Sequence, residues 1–539
     1  MTDSPTTGKT GDHPDVARIA EGPERSTSTL SAMGRTLAVV CSLALVAGAC
    51  SSSEARPSAS DTSSSSTTTT PAYEPVFEPG ACDPARVTEK TATVECGTLV
   101  VPEDRSKPTA RTVRLPVAIL RASVEPKQPD PIIYFSGGPG YAGLQSANHW
   151  AKIQLKTDRD IITFDQRGTG KADPSLDCPE VDDATFAMFE TSKPPIDETP
   201  PMLDAFDRCR DRLTGEGIDL DMYDTPVVAD DVADLRRALK LDQWNIFGIS
   251  YGTTVALEML RSHAEGVRSV VIDSVYPPDA LLGPLVFGEA DRVFNTLVHG
   301  CAADAACAAA HPDLGAELDR AVARLDASPY ALDITVGDRV VKGKFTGTDL
   351  IGGLFNALYD TELIPLLPLF IKSVADGNTG ILDGVAQDGI TFLTTAAEGQ
   401  SASVDCADRE RLVDQAKLTQ AVKDNPRYGL LAAARPIPQI CPAWNVAPVD
   451  AAFNEVHETP VPTLVFGDEY DPVPPPATSE RTARSLGASA TFVKFPGLGH
   501  GATDAHPCPM SIFRAFIDTP TVKPDTSCVA SMPPPKWKV

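Results

Sequence analysis

Gly248-Ile249-Ser250-Tyr251-Gly252 is the stretch on which the reading of this chain turns. The run before it, 244–247, is short and apolar, and 253–262 behind it favours helix. A serine on so sharp a strand-to-helix turn has its oxygen lifted above a sheet edge, and glycines flank it because a Cβ there would strike neighbouring backbone. The pentapeptide alone is common in long chains. The strand before it and the helix after it give it weight against a Gly-rich turn with an incidental serine.

Working outward, three more short apolar runs end in polar or Gly-rich turns. Residues 131–135 precede Ser136-Gly137-Gly138-Pro139-Gly140, 160–164 precede Asp165-Gln166-Arg167-Gly168, and 267–272 precede Asp273-Ser274. Fully apolar short strands that alternate with helical stretches predict an α/β fold with a mostly parallel sheet covered on both faces. Residues 228–241 form one such helix, with Val228, Val232, Leu235 and Leu239 on one face. Ahead of these, 96–102 and 112–120 read as a hairpin. Residues 277–450 are Ala/Leu/Asp-rich and helical in period, and sheet-like runs return at 461–466 and 490–495. The expected division is therefore a first core part over 80–276, an inserted helical cap over 277–450, and a second core part over 451–539. The apolar segment 350–371 is interrupted by Asp360, Glu362, Pro365 and Pro368, so it is not read as a membrane span.

A serine at its ordinary pKa is a poor nucleophile and needs a base oriented by a carboxylate. The expected chain order is Ser, then acid, then His. Of the eight histidines, His457, His500 and His506 lie late enough. His500 follows the run 490–495 through Pro496-Gly497-Leu498-Gly499, an exposed turn, whereas His506 sits beside Pro507 and Cys508. His500 is preferred. For the acid, 461–466 runs into Gly467-Asp468-Glu469-Tyr470-Asp471-Pro472-Val473, where Asp468, Glu469 and Asp471 compete and Asp471, before Pro-Val, is preferred. The backbone amides of Gly138 and Tyr251 are the expected oxyanion donors. Gly168-Thr169-Gly170-Lys171 fails the phosphate-loop spacing, with Ala172 where Ser or Thr is needed. Arg167 and Asp165 are read as a structural pair bracing the oxyanion loop.

The chain has 539 residues, 42% of them hydrophobic, and a formal net charge of −26. A surface of that sign repels nucleic acid and anionic lipid headgroups, so nucleic acid is not an expected partner. Residues 1–49 read as an N-terminal extension and export signal. A polar stretch over 1–32 gives way at Met33, itself a candidate start, to Arg35, the apolar run 37–49 and Cys50. Gly48-Ala49 before Cys50 is similar to a bacterial lipoprotein cleavage site, although Ala47 stands where Leu is usual. Lipidation at Cys50, and membrane anchoring through it, is the expectation, against plain secretion. Residues 50–79, which include the Ser/Thr/Pro tract 51–71, read as a disordered tether. Setting aside Cys41 and Cys50 leaves Cys82, Cys96, Cys178, Cys209, Cys301, Cys307, Cys406, Cys441, Cys508 and Cys528. An even number in an exported chain predicts disulfides, and neighbours paired in order give five local loops. No C-x-x-C or H-x-x-x-H spacing supports zinc.

Gly-Gly-Pro-Gly after one strand, Asp-Gln-Arg-Gly-Thr-Gly after the next, Gly-Ile-Ser-Tyr-Gly-Thr at the elbow, Gly-Asp-x-x-Asp-Pro-Val and Gly-x-Gly-His together resemble the prolyl and tripeptidyl aminopeptidases among the α/β-hydrolases. With its leader and cysteines the chain looks closest to the secreted actinobacterial tripeptidyl aminopeptidases and the related mycobacterial cell-envelope proteases and carboxylesterases. The likeness covers about residues 80–530. It implies an α/β-hydrolase core with an inserted helical cap and Ser250, Asp471 and His500 as catalytic residues; that chemistry needs no metal or organic cofactor, and a monomer is expected. It also implies that acidic cap residues bind a substrate's free amine, for which Asp405 and Asp408 are the candidates, against a solvated acidic loop. Where prolyl members have His before Gly-Gly-Pro-Gly, this chain has Ser136. The expected activity is release of short peptides from an N-terminus. The alternatives are a carboxylesterase acting on envelope lipid or short acyl esters, and an inactive envelope lipoprotein that binds ligands in the old cleft.

Overall fold

Strands that are covered on both faces must be apolar on both, and here they are. The computed structural model describes residues 73–83, 93–153, 158–191, 195–425, 427–428, 431 and 436–539, and Glu74–Val539 form one unit. The leader, Cys50 and the tract 51–71 lie outside the described residues. The strands are β1 (Val76–Gly80), β2 (Val94–Pro102), β3 (Thr112–Leu120), β4 (Ile132–Phe135), β5 (Ile161–Phe164), β6 (Trp244–Ile249), β7 (Val267–Asp273), β8 (Tyr330–Val336), β9 (Arg339–Phe345), β10 (Thr463–Asp468) and β11 (Ala490–Phe495). Nine of them form one sheet in the order β1-β2-β3-β5-β4-β6-β7-β10-β11. From β5 to β11 all neighbours run parallel, while β1, β2 and β3 add an antiparallel edge. β4, β5 and β10 are buried along their whole length.

Helices Thr225–Ala238 and Tyr251–Ser262 cover one face, packing Val228, Val232, Leu235, Val255 and Met259 against Ile133, Ile246 and Val465. Helices Ala147–Ile153 and Pro507–Asp518 cover the other, where Trp150 and Phe513 meet Phe247, Phe466 and Phe495. Each large apolar side chain so buried is worth about 1.5–3 kcal/mol, which makes this central sandwich the main source of the fold's stability.

A second hydrophobic centre lies between β7 and β10 in the chain. Leu297, Leu318, Leu350, Leu354, Ile371 and Ile390 from successive helices converge there. This stretch, expected to be mostly helical, is not helical throughout. β8 and β9 form an antiparallel hairpin whose residues alternate between buried and exposed, so Leu332, Ile334 and Val336 face the helices. Helix Pro179–Thr191, which precedes the elbow in sequence, packs on β9 closely enough that a Cβ at Gly343 would lie 1.9 Å from Phe189 O. The second correction concerns the expected tether: its end, Val76–Pro79, belongs to β1, paired with β2 from Val76↔Val100 onward. Among the described residues no helix is long and apolar enough to cross a membrane.

The five disulfides join neighbours in order as expected: Cys82–Cys96, Cys178–Cys209, Cys301–Cys307, Cys406–Cys441 and Cys508–Cys528. Arg167 does not pair with Asp165. It is fully buried and forms a two-pronged contact with Asp231, Nε to Oδ2 and Nη2 to Oδ1 at 2.7 Å each. Asp165 braces the neighbouring loops by itself, accepting from Leu144 N and Lys171 N at 2.9 Å.

Candidate active site

Ser250 sits between β6 and helix Tyr251–Ser262 at φ 58, ψ −127. Non-glycine residues rarely adopt that region, and holding one there costs on the order of 1–3 kcal/mol. The flanking glycines are steric necessities. A Cβ at Gly248 would come within 2.4 Å of Gly252 O, and one at Gly252 within 2.3 Å of Phe135 O. Ser250 N donates to Asp273 O at 3.1 Å, tying the elbow to the end of β7. Tyr251 opens the helix, so its amide is one of the four that no helical carbonyl can satisfy.

The loop after β4 lies against this turn: a Cβ built on Gly137 would stand 3.0 Å from Ser250 Cβ and 3.4 Å from Ser250 Oγ. Two contacts hold that loop from helix Glu398–Asp408 and its approach. Ser401 Oγ donates to Pro139 O at 2.7 Å and Ala397 N donates to Gly140 O at 3.0 Å. Ser136 Oγ donates to Tyr141 O at 3.1 Å, bridging the loop internally.

Asp471 follows β10 and is fully buried. His500 Nδ1 lies 3.1 Å from its Oδ1 and 3.0 Å from its Oδ2, and Val473 N donates to Oδ1 at 3.0 Å. Burial works against a charged His500, but the carboxylate of Asp471 outweighs it, so the imidazole pKa is raised above the ordinary histidine value. The other candidates have other work. Glu469 Oε2 accepts from Gly497 N at 3.0 Å, Asp468 accepts from Ser274 Oγ at 3.0 Å, and His506 Nδ1 caps helix Pro507–Asp518 by accepting from Cys508 N at 3.2 Å. His457 is exposed.

Residues between β7 and β10 hold both loops. His500 N donates to Tyr359 O at 2.9 Å, Gly499 N donates to Thr361 Oγ1 at 2.9 Å, and the two rings of His500 and Tyr359 lie 4.8 Å apart. Only glycine fits at 499, because a Cβ would lie 2.6 Å from Leu358 O. Arg292, on helix Leu282–Ala303, donates to Glu469 O at 3.0 Å and to Asp471 O. Tyr359, Thr361, Arg292 and Ser401 carry no local sequence signal; they act across long separations.

Ser250, His500, Gly137 and Gly138 line one cavity of about 440 Å³. The rest of its wall is largely apolar, much of it from the stretch between β7 and β10 (Phe345, Ile351, Phe355, Phe392) and some from outside it, such as Phe189 and Val473. Among the described lining residues Asp349 is the only carboxylate; it accepts from Thr346 N at 2.8 Å and Thr346 Oγ1 at 2.6 Å as part of a capping box.

Asp405 and Asp408, expected to meet a substrate amine, do not line this cavity. Both are fully buried in helix Glu398–Asp408. Asp408 accepts from Thr225 Oγ1 at 2.6 Å and Thr225 N at 3.3 Å, and Thr225 Oγ1 also meets Tyr251 Oη at 2.8 Å. Burial, only partly offset by Arg409, pushes the Asp408 carboxyl up to about 7. The helix turns its acids inward to brace the elbow rather than outward to solvent.

The family description "alpha/beta hydrolase fold" matches residues 130–507. A protein named tripeptidyl aminopeptidase from Streptomyces lividans is 25% identical over 441 residues, covering 77% of this chain and 80% of its own. One named carboxylesterase B from Mycobacterium tuberculosis is 25% identical over 462 residues, covering 80% of this chain and 85% of its own. Among solved structures, a proline iminopeptidase from Mycobacterium smegmatis superposes with a TM-score of 0.36 at 15% identity, covering 78% of this chain and 96% of its own.

Proposed function

The chain belongs to the alpha/beta hydrolase fold family, and on that premise we propose that it is an exported serine hydrolase working through an acyl-enzyme on Ser250. One observation carries the reading: His500 Nδ1 is held by both oxygens of buried Asp471, while His500 and Ser250 line the same cavity. Ser250 Oγ attacks the substrate carbonyl as His500 Nε2 takes its proton. The proton then passes to the leaving group, and water repeats the sequence in reverse to release the acid. Asp471 fixes the imidazole's tautomer and stabilises its charged form. The amides of Gly138 and Tyr251 hold the oxyanion, each worth on the order of 3 kcal/mol. The first and second core parts supply these groups, and the stretch 277–450 acts as the cap.

Of the two substrate classes, the wall of the cavity favours an ester with an apolar acyl group. A buried α-ammonium needs an anion beside it, and the one carboxylate among the described lining residues, Asp349, gives its Oδ2 to Thr346. The peptide reading is supported by the Streptomyces relative's name. The amine-binding role of Asp405 and Asp408 is not carried into this proposal, because neither reaches the cavity. Cys50 remains the proposed lipid anchor of an exported chain whose five disulfides suit an oxidising compartment.

Turnover of hexanoyl and acetyl esters is compared with that of tripeptide amides carrying free or blocked N-termini, beside a Ser250→Ala control. Longer acyl esters are expected to be better substrates, and blocking the amine to leave peptide turnover undiminished. Cleavage confined to peptides with a free N-terminus would overturn the ester reading in favour of the peptidase.

A further inference from the structure

Beneath the His500 loop two neighbouring strands each end in an aspartate. Asp273 closes β7 and Asp468 closes β10. The strands pair in parallel, Thr463↔Val270 through Val465↔Ile272, which brings both carboxyls to one point of the sheet edge. Both are fully buried. Each commits one oxygen to ordinary donors. Asp273 Oδ2 accepts from Thr503 N at 2.9 Å and Thr503 Oγ1 at 2.6 Å, and Asp468 Oδ2 accepts from Ser274 Oγ at 3.0 Å. The remaining oxygen of each, Oδ1, is buried and receives no N–H or hydroxyl. The Ser274 hydroxyl that bonds Asp468 belongs to the residue next to Asp273, so the two carboxyls are neighbours.

Two bare carboxylates so placed repel and leave two buried acceptors unsatisfied; a single proton between them removes both penalties. We propose that Asp273 and Asp468 share one proton between their Oδ1 oxygens, and that this singly protonated pair positions the loop carrying His500. The connections are direct. Gly501 N donates at 2.9 Å to the Ser274 hydroxyl that in turn bonds Asp468, and Thr503 bonds Asp273. Ser274 is itself held at φ 54, a conformation few non-glycine residues adopt. With Ser250 N on Asp273 O, residues 273 and 274 join the elbow, the acid strand and the base loop. Burial first, and for Asp468 then the charge of Asp273, raises both carboxyls above the usual range.

The titratable groups facing the pair are His500 on its loop, Asp471 after β10 and Tyr134 on β4, which also feels Asp504 of helix Ala502–Ala505. Helix Pro476–Leu486, packed on β10, buries Ser479, whose Oγ accepts from Val275 N at 3.2 Å, and its charged Glu480, Arg481 and Arg484 are exposed.

The positioning role rests on the reading of Ser250, Asp471 and His500 as the catalytic set; the shared proton does not. Asp468→Asn keeps an acceptor for Ser274 and offers Asp273 an N–H, with no proton to lose. An unfolded aspartate gives up its proton near pH 4, whereas the folded pair keeps its proton to higher pH. Stability from the pair is therefore lost as pH rises from there toward the raised value. The Tm of Asp468→Asn minus that of wild type is expected to climb as pH rises above about 4, in a Ser250→Ala background as well. A difference flat in pH overturns the shared proton. In active enzyme, Asp468→Ala is expected to lower kcat about tenfold with KM within about twofold, and Asp468→Asn to restore kcat. Unchanged kcat in the alanine variant, or no rescue by asparagine, overturns the positioning role. If the alanine variant does not fold, Thr503→Val gives the same kcat readout by removing a donor to Asp273. Wild type that hydrolyses nothing overturns the catalytic reading instead, while the Tm series still decides the proton.

Discussion

Along the sheet edge Ser250, Asp471 and His500 are held by polar contacts at defined distances, whereas the cap above them presents Ile351, Phe355, Phe392 and Leu393, with no side-chain donor or acceptor among them. On the proposed reading the first region moves a proton and the second excludes water and accepts an apolar group. They are not independent. The bonds from His500 N to Tyr359 O and from Gly499 N to Thr361 Oγ1, with Arg292 on the acid loop, make the cap part of what fixes the base. Rate and selectivity are thus separable in origin but share a seam.

The largest effect that sharpens this contrast falls on the sheet side. Asp471→Asn leaves the imidazole in the wrong tautomer, so kcat is expected to fall about 10⁴-fold with KM little changed, read from steady-state kinetics. A change mainly in KM would break the division. On the cap side, Phe355→Ala is expected to raise KM for longer acyl esters about tenfold while acetyl esters change less than about twofold. Equal effects on both chain lengths would show that the cavity wall does not read the acyl group.

Much of the sheet side was legible in sequence because its signals are local. A strand, a Gly-x-Ser-x-Gly turn and a helix are contiguous, and His500 and Asp471 each follow their strand within a few residues. Neighbouring cysteines paired as short loops for the same reason. The apolar stripe marks helix Thr225–Ala238 only from Val228, because its cap, Asp224 accepting from Val227 N at 2.8 Å, lies outside the stripe. The cap was less legible. Alternation over Tyr330–Val336 marks a strand, but it is short and embedded among segments of helical period. Asp405 and Asp408 show the harder limit. An acidic helix that turns its carboxylates inward reads like a solvated one until Thr225 and Arg409 are seen beside it.

The smallest effect follows from that burial. Asp408 titrates at about 7 in the folded chain, above its unfolded value, so its contribution to stability is lost as pH rises through about 7. Asp408→Asn has no proton to lose and is expected to gain a few degrees of Tm over wild type above that pH, and none near pH 4, by thermal melts.

The central claim is that His500 activates Ser250, and intact-mass measurement of fluorophosphonate labelling against pH tests it most directly. A single adduct on Ser250 is expected, absent in Ser250→Ala. Its rate should be low while the imidazole is protonated and rise through a midpoint above the ordinary histidine value, because Asp471 holds the proton on His500. Labelling that ignores pH, or that persists in Ser250→Ala, would contradict the account.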